Sequence, residues 1–299
     1  MKKMTSFSFP AFPSAQISSQ SPPRVSDLKA FPLAVILVFL LHLGAGASPR
    51  VSIVSGPPNP ERYAKTTYPW KKNITATVFW IGERPTSRNP TPNHKSSWDQ
   101  QWQENYGGFD NPDKKARRGY LPKNFTPKLN PFYVALPYND CLNWKRHKRE
   151  ASRVIPWFKR SKPRPGRTCL KGRWLQIYNP KTRRFCYAQW EDCGPFVTDD
   201  YRYVFGNARP KNRHNKGAGI DLSPAVRDHL KMGNMGTVHW RFIEFSQVPK
   251  SGPWTKWGTN NPFKNPEFDP DRQARLAYFE HLRKQRDAAY LKRDIRRSR

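Results

Sequence analysis

The sequence predicts a mainly β protein: a small barrel with long loop insertions and a basic C-terminal helix. Three observations carry that expectation. Several short runs alternate apolar and polar residues, as Thr237-Val-His-Trp-Arg-Phe-Ile-Glu-Phe245 does, and a period of two is that of a half-buried strand. Turn residues separate the runs, among them Asn179-Pro-Lys-Thr182 and Gly194-Pro195. Residues 270 to 299 abandon the alternation for an Arg- and Lys-rich composition with an interrupted apolar stripe at Leu276, Phe279, Leu282, Leu291 and Ile295, which is helical in character.

The elements follow in order. Thr75-Ala-Thr-Val-Phe-Trp-Ile81 predicts the first strand, ending at Gly82-Glu83. Residues 84 to 129 form an insertion rich in Pro, Asn and charge. Within it Ser96 to Tyr106 predicts a helix. Ser96 or Ser97 can cap it, Trp98 and Trp102 fall four apart, and Gly107-Gly108 ends it. Phe132 to Leu136 predicts the second strand. Arg173 to Tyr178 and Arg184 to Trp190 predict a hairpin through Asn179 to Thr182. Gly219-Ile-Asp-Leu222 is a short strand end running into a helix, with Ser223 as N-cap and Pro224 at the first helical position. Thr237 to Phe245 is the closing strand. The barrel domain is thus expected over residues 73–250, after a Pro-rich linker at 48–72. An irregular linker at 251–269 and the basic tail at 270–299 follow.

Composition points outside the cell and toward anionic partners. The 299 residues carry a net charge of +32, from 54 basic and 22 acidic side chains. Such a charge favours anionic polymers and says nothing about fold. Thirty prolines and a mean hydropathy of -0.88 fit long irregular connections. Phe31 to Ala47 is the one long apolar run. It is short for a spanning helix and ends in Ala45-Gly-Ala47, a small-x-small pattern with Lys2, Lys3, Arg24 and Lys29 before it. Residues 1–47 therefore read as a secretory signal. The alternative is an uncleaved membrane anchor through residues 31–47. Export to the periplasm, the envelope or the medium follows from the first reading. The four cysteines, Cys141, Cys169, Cys186 and Cys193, then predict one or two disulfides, with the pairing open. The four cysteines and seven histidines show no metal-ligand spacing, so neither a metal nor a cofactor is expected.

Two carboxylates stand at element ends that one turn could bring together. Asp192 precedes Gly194-Pro195, and Asp221 precedes the Ser223 cap. Carboxylates at the mouth of a small barrel suit glycosidic chemistry, which needs a proton donor and acceptor. Each also has a plainer reading. Asp221 could serve only the helix N-terminus, and Asp192 only the Gly-Pro loop.

These same residues carry a resemblance. Asp192-Cys-Gly-Pro-Phe196 and Ile220-Asp-Leu-Ser223 resemble the Asp-Arg-Gly-Pro-Phe and Ile-Asp-Leu-Ser blocks of the rare lipoprotein A family. The second block, continued by Pro224 to Leu230, is also similar to the Phe-Asp-Leu-Ser run of expansins. Asn130-Pro-Phe-Tyr-Val-Ala-Leu-Pro-Tyr138 resembles the upstream Ala-Ala-His-x-x-Leu-Pro-Phe stretch, and Trp174-Leu-Gln-Ile-Tyr-Asn179 the Val-x-Val-x-Asn strand. Four blocks in the family's order span roughly residues 74 to 246. Insertions at 84–129 and 197–216 depart from the compact pattern, and no lipobox Cys follows the apolar run.

The resemblance implies a six-stranded double-psi β-barrel. It implies Asp221 and Asp192 as catalytic carboxylates and a third acidic residue from the first loop. Glu83, Glu104 and Asp110 compete for that place, with Asp110 preferred. Trp98, Trp102, Tyr138 and Phe196 are the candidate sugar contacts. The expected function is an exported envelope protein that binds peptidoglycan or a related polysaccharide and cleaves it as a lytic transglycosylase. A non-catalytic expansin-like module and a basic scaffold for anionic surface polymers are the alternatives. Nucleic acid, which Arg and Lys interleaved with aromatics would also suit, is disfavoured by export.

Overall fold

The computed structural model describes residues 66–297, except 88, 144 and 162. The apolar run at 31–47 and most of the predicted linker lie outside the described residues. Six strands close into a barrel: β1 (Lys71–Val78), β4 (Tyr133–Leu136), β7 (Trp174–Asn179), β8 (Arg184–Cys193), β9 (Ile220–Leu222) and β10 (Met235–Ile243). Their order around the barrel is β1-β10-β7-β8-β4-β9. The β1–β9 and β4–β8 pairs are parallel and the other four antiparallel. Two short hairpins lie outside it, β2 (Arg117–Arg118) with β3 (Leu121–Pro122) and β5 (Cys141–Asn143) with β6 (Arg146–His147). The helices are α1 (Trp102–Tyr106), α2 (Ala151–Val154), α3 (Tyr201–Val204), α4 (Pro224–His229) and α5 (Arg272–Arg297). All six barrel strands coincide with predicted ones, within a few residues at each end.

Alternation decides what fills the barrel. In β10, Val238, Trp240 and Phe242 are buried while His239 and Arg241 are not. In β7, Leu175 and Ile177 point in and Gln176 and Tyr178 out. The core is built from rings. Phe242 lies 5.0 Å from Trp157, 5.7 Å from Phe205 and 5.8 Å from Trp190. Buried indoles need a partner for their N–H. Trp240 donates to the Tyr203 hydroxyl, Trp190 to the Asp192 carbonyl and Trp157 to the Cys169 carbonyl, each at 2.7 Å.

The 84–129 insertion docks on the outside of this barrel. Phe79 and Ile81 just after β1, Tyr133 and Ala135 of β4, and Trp102 and Tyr106 of α1 form a second apolar cluster. Helix α1 ends as expected at Gly107, whose left-handed φ of 102° lets its N–H reach the Gln103 and Glu104 carbonyls. It begins later than expected. Ser96 bridges Asp99 and its Oγ accepts from the Trp98 N–H at 3.2 Å, while the Ser97 N–H donates to Asp192, so this stretch is a turn and not the first turn of the helix.

At α4 the expected cap is present. Ser223 Oγ accepts from the Val226 N–H at 3.3 Å and donates to the Pro131 carbonyl at 2.7 Å. Residues 251–269 are irregular yet held against the barrel, with Asn261 Nδ2 donating to the Trp254 and Trp257 carbonyls at 2.8 Å. The start of α5 is pinned by Asp271, 3.0 Å from Arg173, and by buried Ala274. Beyond it Leu276, Phe279 and Leu282 face solvent.

Where one or two disulfides were expected, the four cysteines are thiols in this structure. Cys186 and Cys193 lie seven residues apart in the same extended strand, about 23 Å at roughly 3.3 Å per residue. A disulfide needs Cα atoms within about 7 Å.

Trp190 touches Trp98, Phe205 and Phe242 and is fully buried. Trp190→Ala should therefore lower stability by about 3–5 kcal/mol. Phe279→Ala, on the exposed side of α5, should stay within about 0.5 kcal/mol. Urea unfolding of the two variants checks the assignment of core and surface.

Candidate active site

The site is a row of side chains on the outer face of the barrel. Asp221 in β9 pairs with Thr77 of β1 on one side and with Ala135 of β4 on the other. Ala135 in turn pairs with Asp192 of β8. Residues directly opposite in neighbouring strands share a face. Their sequence neighbours Ala76, Val134, Ile220 and Leu222 belong to the core, so Thr77, Asp221, Ala135 and Asp192 point away from it. Asp221 and Asp192 are two strand spacings apart, about 9–10 Å between Cα atoms.

A bulge is needed to put Asp192 in that row. Trp190 pairs with Val134, and both face the core. Strict alternation would send Asp192 inward with Trp190. The register shifts between Val134 and Ala135, leaving Glu191 as the extra residue opposite β4. Asp192 is thereby turned to the outer face, a common use of a bulge beside a functional site. The same shift leaves Glu191 outside the barrel too. Its Oε1 accepts from Asn260 Nδ2 at 3.2 Å, and its Oε2 lies 3.9 Å from Lys171 Nζ.

The space between the two carboxylates is kept small-chained. Ala135 lies between them, and a Cβ on Gly194 would come within 3.4 Å of Asp221 Oδ2. Thr77 Oγ1 donates to Asp221 Oδ1. Asp192 Oδ1 accepts from the Ser97 and Cys193 N–H groups, each at 2.7 Å. The first-loop insertion therefore reaches the row through Ser97.

Burial controls the electrostatics. Desolvation pushes Asp221 up to about 7, with the charges of Glu83 and Asp192 adding to it and the Thr77 hydroxyl opposing. Desolvation also raises Asp192, to about 6, against the Ser97 and Cys193 N–H groups that favour its charged form. Glu83 is raised by burial as well, and Asn93 Nδ2 donates to its Oε2 at 2.8 Å. Glu191 is pushed up to about 7, again by desolvation. Carboxyls whose proton affinities approach neutrality can both give and take a proton near pH 7.

The other predicted site residues are distributed differently. Asp110 does not join the row. It is fully buried, 2.5 Å from Arg117 Nη1, and its Oδ2 accepts from the Tyr133 hydroxyl at 2.8 Å. With its charge committed to Arg117, it holds the insertion onto β4. Glu83 is the first-loop carboxylate that acts on Asp221. Trp102 and Tyr138 are corrected from sugar contacts to core residues, at 1% and 0% exposure. Trp102 packs 5.3 Å from Tyr133, and Tyr138 packs 5.5 Å from Phe205. Trp98 is half-buried, with its indole N–H on Asn139 Oδ1 at 3.1 Å, and it borders a groove with Lys171 and Glu191. Phe196 is 43% exposed, two residues beyond Gly194, with His214 4.9 Å away.

Compared with protein-family models and with curated proteins, the chain matches none.

The raised Asp221 makes a pH prediction. Folded Asp221 keeps its proton up to about pH 7, whereas the unfolded chain releases it near about pH 3.9. Its contribution to stability is then complete below about pH 4 and is lost as the pH rises to about 7. Asp221→Asn should flatten that slope, by at most about 1.4 kcal/mol per pH unit. It should also make the chain more stable than the parent at neutral pH. Urea midpoints across this range read the effect, and parallel curves for the two chains would refute the burial argument.

Proposed function

We propose that the chain is an exported cell-envelope protein that binds peptidoglycan or a related polysaccharide and cleaves it as a lytic transglycosylase. One observation carries the reading. Two carboxylates of raised proton affinity, Asp221 and Asp192, flank the small-chained gap at Ala135 on an outer wall of the barrel. Protonated Asp221 gives its proton to the glycosidic oxygen as the C1–O bond breaks. The sugar 6-hydroxyl oxygen then bonds to C1, and its proton returns to Asp221, closing a 1,6-anhydro ring without water. Asp192, the more acidic of the two and held by two N–H groups, stabilises the positive charge that develops at C1. Glu83 raises the proton affinity of Asp221. Trp98, next to the Ser97 that bonds Asp192, and exposed Phe196, two residues beyond Gly194, are the aromatic candidates for sugar contact.

A non-catalytic polysaccharide-binding module is the second reading. The specific observation in its favour is that Asp192 already ties Ser97 to β8, which a loop anchor would do without any chemistry.

Incubation with glycan strands stripped of peptide, followed by mass spectrometry, separates the readings. Anhydro-ended products from the parent chain and none from Asp221→Asn are expected, with glycan pull-down retained by both. Glu83→Gln should shift the alkaline limb of the pH–rate profile toward lower pH, because it removes a negative neighbour of Asp221. Absence of product from the parent chain, with pull-down intact, would leave the binding module.

The charge supports an envelope location. Among the described residues, the basic clusters within 145–149, 159–167 and 283–297 lie outside the barrel strands. Among the described residues no helix is long and apolar enough to cross a membrane. In this reading the basic segments hold an anionic surface polymer while the row engages glycan. The screening length falls from about 30 Å at 0.01 M salt to about 3 Å at 1 M. Association with isolated envelopes should therefore weaken steeply with salt. Deleting residues 270–299 should flatten the dependence, and Asp221→Asn should leave it unchanged.

A further inference from the structure

Away from the row, three donors of different chemistry meet beside the β5–β6 hairpin. Asp140 immediately precedes β5, His147 ends β6, and Cys169 lies in the loop before β7. One carboxylate oxygen, one ring nitrogen and the Cys169 sulfur all lie within 4.8 Å of one another. Asp140 is fully buried and Cys169 nearly so, while His147 keeps 14% of its side chain at the surface.

The state of His147 is the decisive observation. Its Nε2 is 3.0 Å from the Arg164 carbonyl oxygen. A carbonyl only accepts, so Nε2 must carry a hydrogen. In the neutral ring Nδ1 then holds a lone pair. That Nδ1 is buried, makes no hydrogen bond, and lies 3.2 Å from Asp140 Oδ2. A ring lone pair facing a buried carboxylate is repulsive unless positive charge lies between them. A proton on Nδ1 would supply it, and so would a metal ion.

We propose that Asp140, His147 and Cys169 form a zinc-type divalent metal site. Three features favour an ion over a proton. In a tetrahedral zinc site with bonds near about 2.0 Å, an oxygen and a nitrogen ligand lie about 3.3 Å apart, close to the observed 3.2 Å. The third donor is a sulfur, which a proton on Nδ1 does not engage and which zinc binds as the thiolate. The outer contacts are also in place. Thr168 Oγ1 donates to Asp140 Oδ1 at 2.6 Å, the Cys169 N–H donates to Oδ2 at 2.7 Å, and the Arg164 carbonyl fixes the ring. Such contacts orient ligands and set the histidine tautomer. Zinc binding displaces the thiol proton to solvent, and the thiolate–metal bond replaces the S–H bond. Cys141 pairs with His147 across the hairpin and bears on both Asp140 and Cys169. A water would fill the fourth position. The ion would clip the β5–β6 hairpin to the segment that leads into β7.

Sequence spacing concealed the site, because its members stand at 140, 147 and 169 rather than in a paired motif. A disulfide between Cys141 and Cys169 would consume the same sulfur and is the competing state. The test uses the full chain purified under reducing conditions and equilibrated with Zn2+ alone. One zinc per chain is expected after dialysis. Zinc at about a hundredfold excess over its Kd should raise the thermal midpoint by about 5–10 °C. His147→Ala and Cys169→Ser should each weaken binding at least about tenfold, while His239→Ala on the barrel surface should not. Cobalt in place of zinc should show a thiolate charge-transfer band that Cys169→Ser abolishes. No retained zinc and no thermal shift in the parent chain would overturn the site. So would undiminished binding in both variants, or a Cys141–Cys169 disulfide that forms readily and persists in the presence of zinc.

Discussion

The three residues of β9 hold this structure closed. Ile220, Asp221 and Leu222 pair in parallel with β1 and antiparallel with β4. Without that short strand the barrel would open between β1 and β4, leaving two unpaired edges. The same pairing fixes the chemistry. Because Ile220 and Leu222 must face inward to fill the core, Asp221 must face outward. Because β4 separates β9 from β8, its outward neighbour is Ala135, and beyond that Asp192. A slip of one residue in β9 would bury the carboxylate in the barrel and expose two apolar side chains. Closure and site are thus one constraint.

The outer wall is an unusual environment for acids. Only part of it meets water, because the 84–129 insertion lies over β1 and β4. Carboxylates there lose hydration and are left with few donors, one hydroxyl for Asp221 and, for Asp192, two N–H groups with the Ser97 side chain. Incomplete compensation is what raises their proton affinities. Asp110 shows the other solution to the same problem. It is buried more deeply and desolvation raises its proton affinity too, but Arg117 and Tyr133 oppose that rise and hold it in place. One acid is neutralised in place and serves architecture. The others remain poised to exchange a proton.

Charge and core are segregated along the chain. Buried cations are each answered by an acid, as Arg160 is by Glu244 and Arg173 by Asp271. Most other basic side chains lie at the surface, on the β5–β6 hairpin, in loops and along α5, where solvent screens them. A strongly cationic chain can therefore keep a dense aromatic core, since repulsion falls on segments that contribute little packing.

Barrel strands, turn positions, the Ser223 cap and the C-terminal helix were legible in the sequence because each rests on local chemistry. Alternation, Gly and Pro punctuation, and capping residues act over a few positions. That Asp192 and Asp221 stand at strand ends was legible for the same reason, whereas the choice of Asp192 over Glu191 rested on the family resemblance. Tertiary structure decided the rest. The fate of Trp102 and Tyr138 depended on what lies across from them, and rings stack in a core as readily as on a ligand. Asp110 and Glu83 could not be ranked from spacing, because only the path of the insertion determines which one meets Arg117 and which one lies near Asp221. The bulge at Glu191 is invisible to alternation, since it is a mismatch between two strands distant in sequence. Asp140, His147 and Cys169 likewise come together only through a hairpin and a loop. Local sequence settles how a segment prefers to run; which side chains share a few ångströms is settled by long-range pairing, whose energy belongs to no single segment.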